Sequence, residues 1–407
     1  MNVLRPRIIT TPLQATADST LVSTTTSQAL QFARSSRPFH SLRSLRRTCP
    51  NTAATATQAS PRQLPASTTG SARGQRVTNL SCPSTSTRLT PSGYPPNAVA
   101  RRASHSGAAP VVHEPVVHDV FEEETGTWQY VVADPATLTA VIIDPVLDYS
   151  PTTQTVSTEA ADSLLSLIIF WGYKVDMILE THAHADHLTA AAYLQNRLAL
   201  QQGYKPLIGI GKRIGQVQRM FGERYGIPKD EYEGVFDKLF DDDEIFFIGG
   251  LEAQAIHLPG HTPDHLGYKV GSNVFCGDSI FHADIGTARC DFPGGSSTDL
   301  FTSGRKLLAL PDEVKIWTGH DYPPEGRDAP VPWMTVQQHR QRNKHLREGV
   351  TEQEFVALRD ERDSKLGEPR LLHQALQMNI RAGRLPKPTT SGPGMLHLPL
   401  KVKGVRW

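Results

Sequence analysis

The stretch ETHAHADH at residues 180–187 constrains this chain more than any other feature. It follows an apolar run, and a β-strand that feeds a tight loop would bring three imidazoles and one carboxylate into a small volume. Imidazole suits zinc, iron, copper and nickel, and an added carboxylate fits zinc and non-haem Fe(II). The alternative is a polar loop that is rich in histidine by chance, but such a match has odds of roughly one in a thousand here. The loop therefore predicts a metal site, with candidate ligands His182, His184, Asp186 and His187.

Three further residues of ligand type come directly after predicted strands in the second half of the chain. They are His261, Asp278 and His320, and a glycine precedes each of them. Glycine lets the backbone turn sharply, so that the next side chain is presented at the rim of a sheet. A lone histidine after a strand is more often a surface residue, but three such events favour one shared site with the loop.

The first 110 residues lack the composition of a folded core. They contain thirteen Arg, no Lys and one acidic residue, Asp18. This bias predicts disorder, and an Arg- and Ser-rich, acid-poor N-terminus is typical of an organellar transit peptide. We predict that residues 1–110 are a mitochondrial transit peptide and linker, with a processing site near 101–104, and that the mature protein lies in the matrix. The alternative is a disordered tail on a cytoplasmic protein.

Charge, cysteine usage and hydropathy exclude several classes of protein. The formal net charge of +1 gives no whole-chain support for nucleic-acid or anionic-membrane binding. The cysteines, Cys49, Cys82, Cys276 and Cys290, form no CxxC pair, which favours a reducing compartment over a disulfide framework. No apolar run approaches the roughly 18 residues of a membrane span. We therefore expect neither a nucleic-acid partner nor a membrane span.

Alternating strand and helix patterns begin at residue 111. The predicted strands are 111–120, 128–132, 139–143, 175–179, 207–210, 252–258, 266–270, 274–276 and 314–317. The predicted helices are 157–172, 188–200, 212–225, 297–310 and 335–346, with one more helix pattern at 352–363, after which the tail continues with 371–380. Two strand-rich halves with covering helices predict an α+β fold, a four-layer αββα sandwich over residues 111–346. The extension 347–407 is apolar enough to dock on this domain, and no catalytic group is apparent within it.

Taken together, the ligand-type residues resemble the metallo-β-lactamase superfamily over residues 111–346. The resemblance implies the αββα fold and fills all seven metal-ligand positions of the superfamily motif. Those positions are His182, His184, Asp186, His187, His261, Asp278 and His320. Asp144 matches an aspartate that would orient a ligating imidazole.

Closer resemblance is to the persulfide dioxygenase family. It is carried by the stretches 181–190, 260–263, 286–292 and 320–322, and the tail 376–386 resembles the β-lactamase hydrolase-like subgroup. The resemblance implies one Fe(II) per chain, held by His182, His261 and Asp278. The other four motif residues and Asp144 would surround this metal, or would serve a second one.

The same resemblance implies a substrate site. Arg289 and Tyr322 match positions that hold glutathione persulfide, and a guanidinium offers a bidentate fork to a carboxylate. Arg289 could instead pair with Asp291 or Asp284. Asp264-His265, directly after the stretch 260–263, departs from the small or apolar residues that many relatives carry, and we expect it to place charge near the site.

The implied reaction converts glutathione persulfide, O2 and water to sulfite and glutathione. Two histidines and one carboxylate leave up to three open positions on Fe(II), as non-haem oxygenases require. The main alternative is a glyoxalase II-like hydroxyacylglutathione hydrolase with two zinc ions, because all seven ligand positions are filled. A binding protein without catalysis would be expected to have lost ligands, and nucleic-acid processing would need an added basic surface. A homodimer is compatible with the sequence.

Overall fold

Fifteen strands and seven α-helices make up residues 114–404, the part of the chain that the structure, a computed structural model, describes. In chain order the strands are β1 (Val116–Glu122), β2 (Thr127–Ala133), β3 (Thr139–Ile143), β4 (Val146–Ser150), β5 (Thr155–Ser157), β6 (Lys174–Leu179), β7 (Leu188–Thr189), β8 (Leu207–Gly211), β9 (Lys238–Phe240), β10 (Ile245–Ile248), β11 (Leu251–His257), β12 (Leu266–Val270), β13 (Asn273–Phe275), β14 (Lys315–Trp317) and β15 (Trp333–Thr335). The helices are α1 (Glu159–Trp171), α2 (Ala191–Gln202), α3 (Ile214–Tyr225), α4 (Ser297–Leu308), α5 (Val336–Arg342), α6 (Glu352–Asp363) and α7 (Leu372–Asn379).

The predicted transit peptide and linker, residues 1–110, lie outside the described residues, as do the processing site, Cys49 and Cys82. Mitochondrial targeting therefore stays a prediction. No helix within 114–404 is long and apolar enough to cross a bilayer.

Two six-stranded sheets form the centre of the fold. The first has the order β1-β2-β3-β6-β8-β9, and the second has the order β10-β11-β12-β13-β14-β15. Strands β3, β6, β8 and β9 are mutually parallel, whereas β10 to β13 form an antiparallel meander to which β14 adds in parallel. A small third sheet, β5-β4-β7, lies beside the loop that follows β6.

Successive side chains of a strand point to opposite faces of its sheet, and the apolar ones pack into three hydrophobic cores. In β2, Tyr130 and Val132 face the second sheet, while Val131 and Ala133 belong to the core beneath the helices. The first core contains side chains of α1, α2, α3 and α7, and the third contains those of α4, α5 and α6. Helices, sheet, sheet and helices thus stack in four layers, and the predicted αββα sandwich is confirmed.

The start of the predicted helix 188–200 was wrong. Leu188 and Thr189 form β7 and pair with β4, with Val146 opposite Thr189, and α2 begins only at Ala191. The helical spacing of the apolar residues does not report this pairing, because β4 lies forty residues earlier in the chain. Strands β4, β5, β7, β9, β10 and β15 were not predicted, and each has only two to five residues.

The C-terminal extension packs against both halves of the fold. Thr351 caps α6 in a capping box with Glu354, and Phe355 anchors the helix in the third core. Helix α7 buries Leu372 and Leu376 in the first core. The extension therefore reaches both outer layers and passes the edge of the sandwich where the strands around the loop 180–187 end.

Candidate metal centre

The strands that precede the predicted ligands end at one edge of the sandwich. Strands β11 and β13 run in the same direction because each is antiparallel to β12, and β14 is parallel to β13. Their carboxyl ends are followed by His261, Asp278 and His320, and β6 of the other sheet leads into the loop 180–187. The juxtaposition inferred from the sequence is thus present in the structure.

A first group combines two imidazoles with one carboxylate. One ligand atom each from His182, His261 and Asp278 lies within 4.8 Å of the others, and all three residues are buried. Nε2 of His261 is 3.7 Å from Oδ2 of Asp278. These are the three residues proposed from the sequence as Fe(II) ligands.

Two glycines make this approach feasible. Gly277 has φ +47°, and a Cβ there would lie 2.5 Å from Oγ1 of Thr181. At Gly319 a Cβ would lie 2.5 Å from Oδ1 of Asp278. Any side chain at either position would therefore push the loops of the centre apart.

A hydrogen-bond chain fixes the tautomer of His182. The Thr181 hydroxyl donates to Oδ2 of Asp144 at 2.8 Å, so its oxygen is left to accept from Nδ1–H of His182 at 3.0 Å. Nε2 of His182 then carries a lone pair, and it is buried with no hydrogen-bond partner among the described residues. Asp144 thus acts on His182 through Thr181, as well as on His184 directly.

The second histidine of the first group is oriented by the backbone of the segment that carries Arg289. Nδ1 of His261 is 2.7 Å from the carbonyl oxygen of Arg289, and because a carbonyl can only accept, Nδ1 carries the proton. Nε2 of His261 therefore presents its lone pair toward Asp278.

A second group lies beside the first. His184, Asp186 and His187 each offer a ligand atom within 4.8 Å of the others, and Nδ1 of His187 is 3.0 Å from Oδ2 of Asp186. His320 lies between the two groups, with Nε2 3.2 Å from Oδ2 of Asp186 and 3.5 Å from Oδ1 of Asp278.

Glu180 is a functional residue that our sequence interpretation missed. Its Oε2 and Oδ1 of Asp144 lie 3.2 and 3.1 Å from Nε2 of His184, and all three residues are buried. With Nε2 tied to two carboxylates, His184 is left with a buried Nδ1 that has no partner in the described part of the chain. The sequence signal for Glu180 was its position at the start of the histidine-rich loop, directly after an apolar strand.

The charges near each ring decide how the pKa values of the buried histidines shift. Burial, together with the neighbouring imidazoles of His184 and His265, holds the pKa of His182 well below its usual range, so this ring is neutral and can act as a ligand. Burial alone would also lower the pKa of His320, but the carboxylates of Asp278 and Asp186 outweigh it and raise that pKa. The pKa values of these two buried imidazoles are therefore shifted in opposite directions.

Asp264 and His265, which we expected to place charge near the site, contact the backbone of the metal centre and do not line the cleft beside it. Both residues are fully buried beneath the loop. Oδ2 of Asp264 accepts from the amide of Ala183 at 3.0 Å, and Nε2 of His265 accepts from the amide of Asp278 at 3.0 Å. Burial, with His261 nearby, keeps the pKa of His265 well below its usual range, so this imidazole is uncharged. The pair supports the loops of the centre from below.

The donor atoms fit a bound metal. Nε2 of His182, Nδ1 of His184 and Nε2 of His187 are buried without a hydrogen-bond partner in residues 114–404. An unsatisfied buried polar atom costs about 1–3 kcal/mol, so three of them spread over two adjacent groups of ligand-type residues indicate ligation rather than simple packing. Nitrogen and carboxylate donors of this kind suit iron and zinc.

A cleft of about 370 Å³ opens onto the first group. His261, Asp278 and His320 form its floor, and Arg289 and Tyr322 lie in its wall, so the structure brings both predicted substrate residues to the centre. The C-terminal extension lines the same cleft, which the sequence did not indicate. Its contributions are Arg359, Arg362, Leu366, Pro369 and Arg370.

The two predicted substrate residues are already engaged with protein groups. Arg289 forms a bidentate pair with Asp291 and donates to the carbonyl of Gly367 at 2.9 Å, so one of the alternative pairings is present. Asp284 is paired with Arg327 instead. Tyr322 stacks on His320, with ring centroids 5.7 Å apart.

Comparison with known proteins gives consistent matches over this domain. The sequence profile of the metallo-beta-lactamase superfamily matches residues 123–320. A beta-lactamase hydrolase-like protein from Agrobacterium fabrum is 42% identical over 295 residues, which cover 72% of this chain and 67% of that protein. Glyoxylase B2 from Dictyostelium discoideum is 42% identical over 288 residues, which cover 69% of this chain and 96% of that protein.

More distant matches include proteins named for persulfide oxidation. The mitochondrial persulfide dioxygenase ETHE1 from Bos taurus is 26% identical over 287 residues, which cover 70% of this chain and 93% of that protein. Among solved structures, ETHE1 from Myxococcus xanthus superposes with a TM-score of 0.53 and 26% identity, over 66% of this chain and 100% of that chain.

Proposed function

The chain belongs to the metallo-β-lactamase superfamily, and on that premise we propose that it is a persulfide dioxygenase with one Fe(II) per chain. The observation that carries the proposal is the first group. His182 and His261 have tautomers set by hydrogen bonds, a ligand atom of each lies close to the Asp278 carboxylate, and His261 and Asp278 line an open cleft. Similarity to ETHE1 proteins supports the same assignment.

The proposed reaction is glutathione persulfide + O2 + H2O → glutathione + sulfite + 2 H⁺. The sulfur–sulfur bond breaks, the outer sulfur gives up four electrons, and O2 accepts them. Fe(II) held by His182, His261 and Asp278 would supply redox chemistry and open coordination positions for this exchange. The protein contributes by binding the tripeptide in the cleft, with its sulfur end toward the first group.

The cleft has the shape and charge for a small anionic thiol. Its volume lies within the range of ligand pockets, and the apolar side chains of Phe281, Ile285 and Leu366 would exclude water around the reacting sulfur. The guanidiniums of Arg289 and Arg362 lie in the wall, where they can meet the carboxylates of glutathione. A substrate carboxylate would compete with Asp291 for the fork of Arg289.

We predict that Arg289→Ala raises KM for glutathione persulfide by about 10- to 100-fold. A hydrogen bond to a charged group contributes about 1.5–3 kcal/mol, and the variant loses such a bond to the substrate carboxylate. Iron content should not change, because His261 bonds to the backbone carbonyl of residue 289 and alanine keeps that carbonyl. Steady-state O2 uptake and metal analysis measure the two effects. Arg219→Ala, on the exposed face of α3, is the control, and a KM within twofold of the unmodified protein would remove Arg289 from the substrate site.

A hydroxyacylglutathione hydrolase is the second candidate, and a specific observation favours it. The second group, His184, Asp186 and His187, is assembled as closely as the first, so the donors for two metals are present. Two adjacent metals would suit activation of water for thioester cleavage. Similarity to glyoxylase B2 is consistent with this candidate.

Metal analysis combined with O2 uptake tests the proposal. Under it, protein loaded anaerobically with Fe(II) retains one iron per chain and consumes one O2 for each persulfide converted to sulfite. The hydrolase candidate predicts two metals per chain and cleavage of S-lactoylglutathione without O2. Thioester turnover in the absence of O2, with no sulfite formed from persulfide in air, would refute the dioxygenase assignment.

A further inference from the structure

A side chain from the C-terminal extension is hydrogen-bonded to the backbone of the candidate metal centre. Asn379, the last residue of α7, is buried, and its amide nitrogen donates to the carbonyls of His184 and His187, both at 2.8 Å. Its amide oxygen accepts from the N–H of Thr189 at 2.9 Å. One amide thus makes three hydrogen bonds to a six-residue stretch that lies about 190 positions earlier in the chain.

The position of Asn379 is itself tightly fixed. Gln218 of α3 donates to the carbonyl of Ile380 at 2.9 Å, and the guanidinium of Arg381 bonds to Glu231 at 3.0 Å. Gly383 has φ +77°, and a Cβ there would lie 2.7 Å from the carbonyl oxygen of Thr189. The chain that follows the amide therefore has little freedom to move with the loop.

These bonds matter because the loop has few others. The segment between His184 and His187 belongs to no helix or strand, and its buried carbonyls need a donor. The imidazoles of the same two residues direct Nδ1 of His184 and Nε2 of His187, both without partners in the described residues, toward the centre. The direction of each ring depends on the backbone that Asn379 holds.

We propose that Asn379 is a positioning residue for the metal centre and that the C-terminal extension is a structural part of that centre. Asn379 fixes the backbone position of residues 184–189. Through this backbone it positions the second group and the part of the cleft wall that faces the first group. The inference rests on the metal centre of the proposed function and holds for either reaction. A residue that orients metal-site groups in this way typically changes metal affinity or activity by about 10–100-fold when it is replaced.

Helix α7 offers a matched control. Gln377 is equally buried and also makes three side-chain hydrogen bonds, to the carbonyls of His373 and His397 and from the N–H of His397. None of them reaches the loop. Asn379→Leu and Gln377→Leu therefore remove the same number of buried hydrogen bonds from one helix, and a purely structural role predicts the same consequences for both.

Hydrogen exchange on the metal-free protein provides the first test. In Asn379→Leu the Thr189 amide should exchange at least about tenfold faster than in the unmodified protein, because it loses its acceptor. In Gln377→Leu its rate should change by less than twofold relative to the amides of β2. Equal acceleration in both variants would overturn the proposal.

Metal affinity provides the second test, with Zn²⁺ alone as the probe in competition with a chromophoric chelator. Asn379→Leu should bind Zn²⁺ about tenfold more weakly, and Gln377→Leu should bind it as the unmodified protein does. If Asn379→Leu fails to fold, Asn379→Asp keeps the volume and the acceptor for Thr189 while removing both donors. Because Asn379→Asp keeps the acceptor for Thr189, only its Zn²⁺ affinity is diagnostic. Unchanged Zn²⁺ affinity in a folded Asn379 variant would refute the role. Failure of the proposed reaction would appear separately, as a lack of O2 uptake by the unmodified protein.

Discussion

Asp278→Ala is expected to leave the protein without bound iron and to lower persulfide oxidation by more than about a hundredfold, beyond the loss caused by removing a residue that merely orients a ligand. Asp278 is the one anionic member of the first group, and its Oδ2 lies 3.7 Å from Nε2 of His261. Without it, two neutral imidazoles would have to hold a divalent cation in a buried site. The first group therefore loses one of its three ligands and its only negative charge.

Iron per chain after anaerobic loading and desalting measures this loss. Asp284→Ala is the control, since Asp284 lies in a nearby loop and pairs with Arg327 instead of a metal-site group. Asp186→Ala separates the two candidate reactions. Under the dioxygenase proposal it keeps close to one iron, because Asp186 belongs to the second group. Full iron content in Asp278→Ala would contradict the assignment of the first group.

The convergence of the ligands could be predicted from the sequence because each ligand carries a local signal. A strand, a glycine and a ligand-type residue recur at His261, Asp278 and His320, and the structure places all three at one sheet edge. The turn at the carboxyl end of a strand and the side chain presented there are determined by a few neighbouring residues. The apolar periodicity that defines the four layers is local in the same way.

The contributions of the C-terminal extension could not be predicted by such reasoning. Asn379 and Arg359 act on segments 70 to 195 residues away, and nothing in the spacing near them points to those partners. The signal that was present is the interruption of an apolar helix by buried polar residues. Gln377, Asn379 and Arg381 alternate with apolar residues and are all buried. Polar groups in such positions need specific partners, but the sequence does not say which ones.

The positions of Asp264 and His265 could not be predicted for a related reason. Residue type predicted charge, whereas burial beneath the loop makes the imidazole neutral and uses the carboxylate as a hydrogen-bond acceptor for Ala183. Whether an ionisable side chain faces a pocket or the packing beneath it depends on the pairing of both sheets, which a single segment cannot reveal.

Asp363→Ala is expected to lower the free energy of unfolding by about 3–5 kcal/mol, the cost of leaving a buried ion pair with one partner. Arg359 is 1% exposed, and Asp363 is its ionic partner one turn away on α6. In the variant the guanidinium would keep its bond to the carbonyl of Thr287, at 3.2 Å, but would have lost its neutralising charge. Urea unfolding in the presence of a chelator measures the change without a contribution from bound metal. A loss below about 1 kcal/mol, the value of a surface pair, would show that the pair is not buried in solution.

The double variant Arg359→Met/Asp363→Leu separates the stabilising role of this pair from its role in the cleft. Replacing both charges with apolar side chains is often neutral or stabilising, so most of the lost stability should return. The bonds to the segment 287–290 do not return, because Asp363 also accepts from the N–H of Cys290 at 2.8 Å and Arg359 also donates to Thr287. That segment carries the Arg289 side chain into the cleft and presents the Arg289 carbonyl to His261. The double variant should therefore have a free energy of unfolding close to that of the unmodified protein. Its KM for glutathione persulfide should still be raised. Recovery of both quantities together would mean that α6 stabilises the fold without setting the position of Arg289.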